Sequence, residues 1–112
     1  MCIAITDESG NLLAFERMDG GKVPSSSIAI DKSFTASGTR KPTHEIGEAS
    51  QPGNPVYGIS SALGGRMLVV AGGLPVIVDG AVVGGIGVSS GTPAQDLQVA
   101  EAGLQALFAA KP

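Results

Sequence analysis

An Asp-Gly pair, Asp79-Gly80, lies between two apolar runs and constrains the fold more than any other feature of this chain. The runs cover residues 74–78 and 81–89, and Asp-Gly in such a position strongly favours a tight β-hairpin. The strand that enters GVSSG, residues 87–91, is therefore predicted to be antiparallel to the strand before it. Hydrolases that carry a catalytic serine in a G-x-S-x-G turn instead place it after a strand of a mainly parallel sheet.

The other elements follow from apolar patterning and from turn and capping residues. Strands are predicted over 2–6 and 12–17, and a further strand over 67–71 precedes the hairpin. The remaining predictions are a helix over 25–37, capped by serines 25–27 and closed by Gly38; a short helix over 43–49; a helical turn over 57–63; and a last helix opened by the capping box Thr92 to Gln95, with Pro93 in its first position. This order, ββ-αα-βββ-α, predicts an α+β fold with one antiparallel five-stranded sheet and helices packed against it.

Composition places the chain among small globular proteins. Its 112 residues suit a single domain, 1–112, and 43% of them are hydrophobic. No apolar run is long enough to cross a bilayer, and a net charge of -3 without a basic cluster argues against nucleic-acid binding. One cysteine and no recognisable secretion signal make the cytoplasm the expected compartment. With 17 glycines and few aromatic residues, burial is expected to depend on aliphatic side chains and on close backbone packing or oligomer contacts.

GVSSG raises the question whether Ser89 is a nucleophile. The only histidine, His44, precedes Ser89, whereas the hydrolase order is serine, acid, histidine. A turn that ends a strand and begins a capped helix is the better interpretation. The amides of residues 90–94 then open a helix N-terminus, which favours a bound carboxylate or phosphate, although simple capping and solvation are the alternative.

Two further side chains stand out as candidates for chemistry. His44, beside the proline-rich stretch 51–55, could act as a general base or a metal or haem ligand, or could be an ordinary surface histidine. Lys32 shares a helical face with apolar residues, so an inward ammonium must pair with a carboxylate or bind a ligand; the alternative is a lysine that extends to solvent. Asp31 and Glu45 are possible partners of these cations. A structural zinc site is not expected, because no ligand spacing is present.

Four segments together are similar to a known family: DESGNLLAFERMDG, AIDKSFTA, KPTHEIGEASQPGNPVYGI and GGLPVIVDGAVVGGIGVSSGTPAQDLQVAEAG. In this order, and with the motifs R-x-D-G and PG-x-P-x-YG, the chain resembles the GlcG/HbpS-like domain. That domain also occurs at the C-terminus of PduO-type cobalamin adenosyltransferases. The resemblance covers almost the whole chain.

The resemblance implies a profilin-like fold that forms homo-oligomers, with members that bind haem or a corrinoid-related partner. The helix that usually precedes the first strand in this family is missing here, where strand-like sequence begins at Cys2. By position, the family pocket would be lined by Arg17, Lys32, His44, Tyr57, Ser89, Ser90 and Gly91.

Three functions remain open on the sequence alone. In the first, the chain binds haem or another tetrapyrrole, with Arg17 or Lys32 at the propionates and His44, Tyr57 or Met18 near the iron. In the second, it is an enzyme for a small carboxylate or aromatic acid. His44 or Tyr57 would then act as acid or base, and Lys32 would stabilise developing charge. In the third, it is a non-catalytic assembly module.

Overall fold

The computed structural model describes residues 1–110 and contains a four-stranded antiparallel sheet with a helix on each face. One small core joins the sheet to the first helix through Cys2, Ala4 and Ala29. A second joins the opposite face to the last helix through Ile86, Val88 and Ala100. The elements are β1 (Cys2–Asp7), β2 (Leu12–Arg17), α1 (Pro24–Thr39), α2 (Thr43–Ala49), a 3₁₀ segment (Ile59–Gly65), β3 (Gly73–Val78), β4 (Ala81–Ser89) and α3 (Pro93–Ala109).

The strand order β2-β1-β4-β3 brings several predicted site residues to one end of the sheet. Cys2, the first residue of β1, lies opposite both Arg17 in β2 and Ser89 in β4. Gly73, the first residue of β3, lies opposite Gly87. The last residues of β2 and β4 therefore lie at the same end as the first residues of β1 and β3. We call this the loop end.

The prediction of five strands is wrong, because residues 67–71 do not join the sheet. The backbone of this region is bound by two helical threonines instead. Thr35 Oγ1 donates to the carbonyl of Arg66 and accepts the Leu68 N–H, and Thr43 Oγ1 donates to the carbonyl of Val70. Since these main-chain groups have partners in the helices, the apolar segment is held in place without a neighbouring strand.

The helices differ from their predicted limits in ways that have local causes. α1 has no side-chain cap and begins at Pro24, so the serines at 25–27 do not cap it. It continues through Gly38 and ends where Arg40 adopts the left-handed conformation and its N–H bonds to the carbonyl of Ala36. The predicted turn over 57–63 is instead the 3₁₀ segment, which is interrupted at residues 62–64. The capping box of α3 is present as predicted.

Backbone contact between α1 and β4 replaces the large side chains that this chain lacks. A Cβ atom on Gly87 would overlap the carbonyl oxygen of Ala29, and one on Gly85 would lie 2.6 Å from the carbonyl oxygen of Ser33. The small Ser33 side chain also donates to the carbonyl of Gly85 at 2.9 Å and lies 2.8 Å from the Thr6 hydroxyl. Glycine in β4 therefore lets the helix lie directly on the strand.

The opposite face of the sheet is only partly covered. α3 packs on β3 and β4, while all six residues of β2 are exposed. Between the sheet and the C-terminal half of α3 lies a groove with a cavity of about 340 Å³. Its lining is aliphatic except for Thr6 and glycine: Ile5, Thr6, Leu13, Val76, Val83, Gly84, Ile86, Gly103, Leu104 and Leu107. We call this surface the aliphatic groove.

Substitution of Gly87 by alanine should destabilise the fold, because the new methyl group has no room against α1. We expect the free energy of unfolding, measured by urea titration, to fall by about 1–3 kcal/mol or more. Gly38→Ala is the control, since nothing lies within 4 Å of a Cβ atom there, and an added methyl in a helix stabilises by about 0.5–1 kcal/mol. A Gly87→Ala protein as stable as the wild type would contradict the close packing of α1 on β4.

Candidate functional site

Three of the predicted ligand residues, Arg17, Ser89 and His44, lie at the loop end but at different strands. Arg17 ends β2 on one side, and Ser89 ends the central strand β4. On the other side, Thr43 Oγ1 accepts the N–H of Gly73 at 3.0 Å, which places α2 and its next residue, His44, beside the start of β3. Three strand spacings, about 14 Å, separate β2 from β3. Arg17 and His44 therefore flank the loop end without being neighbours.

Lys32 does point inward, and its ammonium is held by the protein itself. The residue is 1% exposed, and Nζ donates to the Val88 carbonyl at 2.8 Å and to Asp96 Oδ2 at 3.1 Å. Its carboxylate partner is Asp96, 64 positions away and outside the range of any local sequence pattern, whereas the predicted partner Asp31 pairs with Arg66. Because both acceptors are internal, we do not assign Lys32 to ligand binding or catalysis.

Asp96 also occupies the anion position that the sequence predicts at the GVSSG turn. Its Oδ1 accepts the Gly91 N–H at 2.9 Å, and the Gln95 side chain accepts the Thr92 N–H at 3.0 Å. Ser90, which has a positive φ of 96°, is fixed by the Lys22 N–H, which donates to its Oγ at 3.0 Å. The turn thus holds a carboxylate, as the helix N-terminus favours, but that carboxylate belongs to the protein.

The charge state of Lys32 depends on this arrangement. Burial lowers the pKa of Lys32 below its ordinary 10.5, and the hydrogen bond and charge of Asp96 counteract that effect in part. Removal of the carboxylate would leave burial unopposed. The ammonium and Asp96 are therefore best regarded as one structural unit.

Ser89 lacks the surroundings of a nucleophile. Its side chain is buried at the end of β4, and no hydrogen bond joins it to His44. A serine hydroxyl needs a positioned base to attack a substrate. The structure thus gives no support to a hydrolase interpretation of GVSSG.

His44 is the histidine of the chain, and its ring is half-buried on α2. The Nδ1 atom is buried, and no residue in the described range 1–110 gives it a hydrogen-bond partner. A buried nitrogen without a partner costs about 1–3 kcal/mol. Within the described residues, Nδ1 therefore lacks the internal polar partners that Lys32 Nζ has.

Tyr57 and Arg17 both lie at the surface. Tyr57 is 69% exposed, in a loop that Asn54 ties to α2 by donating from Nδ2 to the Glu48 carbonyl at 2.7 Å. Arg17 is exposed and donates from Nη1 to the Gly21 carbonyl at 3.1 Å.

Within residues 1–110, no group of three His, Cys, Asp or Glu side chains is arranged to hold a metal ion. In the same range, none of the helices combines the length and apolarity needed to cross a membrane.

These features define a small α+β domain with one helix on each face of an antiparallel sheet and its polar candidates at one end. The chain belongs to the family described as haem degrading protein HbpS-like, whose model matches residues 1–105. In sequence it is 44% identical to a 15.0 kDa protein from the dhaT-dhaS intergenic region of Citrobacter freundii, over 90% of this chain and 71% of that protein.

Solved structures show the same fold. Klebsiella pneumoniae protein ORFY superposes with a TM-score of 0.96 at 37% identity, over 98% of this chain and 76% of that one. The PduOC:heme complex superposes with a TM-score of 0.91 at 33% identity, over 94% of this chain and 76% of that one. Against the whole corrinoid adenosyltransferase PduO of Salmonella typhimurium, the chain is 33% identical and spans only 31% of that protein's length.

The ion pair between Lys32 and Asp96 should contribute much more to the free energy of unfolding than the exposed pair between Arg66 and Asp31. Asp96→Asn keeps an acceptor for Gly91 but leaves a buried ammonium without its counter-charge, and we expect a loss of about 3–5 kcal/mol in unfolding free energy. Combination with Lys32→Met should recover part of it, with an interaction energy of about 0.5–3 kcal/mol. Asp31→Asn is the control and should cost at most about 1 kcal/mol. Equal losses from Asp96→Asn and Asp31→Asn would contradict this assignment.

Proposed function

We propose that this chain is a haem-binding domain and that the haem lies at the loop end. The observation that carries the proposal is the likeness to PduOC, which was crystallised as a heme complex and matches 94% of this chain with a TM-score of 0.91. The family description, a haem degrading protein, agrees with it. Haem would supply an iron atom that accepts an axial side-chain ligand.

His44 fits the role of that ligand. Imidazole is the commonest protein ligand of haem iron, and this chain contains one histidine. Within the described residues its buried Nδ1 has no internal hydrogen bond, so no contact at that nitrogen fixes the ring, and Nε2 would be the nitrogen that ligates the iron. The exposed side chains of Tyr57 and Met18 are the alternative ligands, and Met18 directly follows β2 at the loop end.

The cations for the haem propionates would be Arg17 and Lys22. Both are exposed at the loop end, and both lie in or next to the segment that joins β2 to α1. Lys32 is not available, because Val88 and Asp96 already accept from it. The same internal pairing weakens the enzyme alternative, which needs Lys32 beside His44 and Tyr57.

We also propose that the chain forms a homo-oligomer through the aliphatic groove and strand β2. The groove contains no charged residue and no side chain that ligates iron well, so it suits apolar contact better than haem ligation. Leu13, at a bulge of β2, lines the groove and is 65% exposed. An exposed edge strand beside an apolar groove is a surface that proteins usually cover.

Haemin titration tests the haem proposal. Wild-type protein should give a saturable Soret change with the spectrum of a histidine-ligated haem. His44→Gly should weaken binding at least about tenfold, and added imidazole should restore the ligated spectrum. Glu45→Gly, an exposed neighbour on the same short helix, is the matched control and should bind as the wild type does.

The outcomes separate the candidates. Absence of saturable binding by the wild type would overturn the haem proposal and favour the assembly module. Unchanged binding and an unchanged spectrum in His44→Gly would show that a residue other than His44 ligates the iron.

Light scattering after size-exclusion chromatography tests the oligomer. Leu13→Lys should shift the molar mass toward the monomer, because a charge in the groove opposes apolar contact. Leu63→Lys is the control, since Leu63 is 62% exposed but lies outside the groove. A wild-type protein that is monomeric at high concentration would contradict the oligomer proposal.

A further inference from the structure

We infer that Arg66 forms a second binding site, which takes the carboxylate of a small organic acid. The site is separate from the loop end and does not depend on the haem proposal. It rests on a guanidinium that is held rigidly from two directions while its terminal nitrogens stay free.

The guanidinium of Arg66 is positioned by α1. Its Nε donates to Asp31 Oδ1 at 3.1 Å, and its Cζ lies 3.7 Å from the centre of the Phe34 ring. The main chain of the same residue is fixed as well, because Thr35 Oγ1 donates to its carbonyl at 3.0 Å. Residues 31, 34 and 35 share one face of a helix, so a single rigid element holds both ends of the arginine.

The ring beneath the guanidinium is itself held by the turn between β1 and β2. A Cβ atom on Gly10 would lie 2.7 Å from Phe34 Cδ2, so the turn closes directly on the edge of the ring. The turn is braced by Asp7, whose Oδ1 accepts the N–H groups of Ser9 and Asn11, both at 2.9 Å. Phe34 therefore has little freedom to move away from Arg66.

The free part of the guanidinium has the shape of a carboxylate receptor. Of its five N–H donors, Asp31 takes the one on Nε, and no residue within 1–110 accepts from either Nη atom. The side chain is 43% exposed, so these donors reach solvent. Two parallel N–H groups match the two oxygens of a carboxylate. Because packing has already restricted the arginine, binding loses less side-chain entropy than at a mobile arginine.

The charge at this site favours a singly charged anion. Asp31 already balances the charge of Arg66, so binding depends on the free donors, and each negative charge on the ligand adds repulsion from the Asp31 carboxylate. A planar monocarboxylate suits both the charge and the fork of donors better than a phosphate dianion.

Nuclear magnetic resonance with benzoate as the probe tests the site. Benzoate should cause saturable shifts of the Arg66 Nε–H resonance and of the backbone amides of residues 10, 34 and 66, whereas sodium chloride at equal ionic strength should not. Arg66→Gln should abolish these shifts, and Arg66→Lys, which keeps the charge without the fork, should weaken binding at least about tenfold. Arg40→Gln, at an exposed arginine outside both proposed sites, is the matched control and should leave the shifts unchanged.

Three results would overturn the inference: shifts that grow linearly without saturation, shifts of the same size in Arg66→Gln, or stronger binding of inorganic phosphate than of benzoate. None of these results bears on haem binding, which the haemin titration decides independently. Far-ultraviolet circular dichroism of each variant would establish that the fold is retained.

Discussion

The buried ion pair between Lys32 and Asp96 joins the three layers of this protein. Lys32 extends from α1 past the sheet, donates to the Val88 carbonyl in β4 and reaches the first turn of α3. Asp96 in turn accepts the Gly91 N–H, so the same carboxylate fixes the turn that leads into α3. An ammonium and a carboxylate removed from water are stable only when each has its partner. The positions of both helices on the sheet are therefore coupled at this one point.

The small residues around the pair make it sterically possible. A Cβ atom on Gly72 would lie 2.9 Å from Lys32 Nζ, and one on Gly73 would lie 2.7 Å from the Lys32 carbonyl oxygen. With the close approach of α1 to Gly85 and Gly87, these glycines bring the helix near enough for Lys32 to reach Asp96 in the first turn of α3. Glycine at these positions leaves the core between α1 and the sheet with little aliphatic volume.

The polar residues of the chain consequently divide into two groups. One group stabilises the fold through internal hydrogen bonds: Lys32, Asp96 and the GVSSG turn. At the two sides of the loop end, His44 Nδ1 has no hydrogen-bond partner within residues 1–110, and the exposed Arg17 makes one internal bond, to the Gly21 carbonyl. Arg66 keeps two nitrogens without an internal acceptor in the same range. Because Lys32 is paired internally, the structure contains no assembled group of Lys32, His44 and Tyr57 for catalysis. The haem proposal therefore depends on the likeness to relatives and not on such a group.

Local sequence determined the elements whose signals lie within a few residues. The Asp79-Gly80 hairpin and the capping box at Thr92 are both local properties, of turn geometry and helix capping. For Lys32 the sequence left two alternatives, an inward ammonium with a partner and a side chain that extends to solvent, and the structure shows the first. The tertiary structure decided which acid meets Lys32, because Asp96 is 64 positions away and no periodicity relates the two. It also decided that residues 67–71 form no strand, since hydrogen bonds from Thr35 and Thr43 in distant helices satisfy backbone groups that the apolar pattern alone assigns to a sheet.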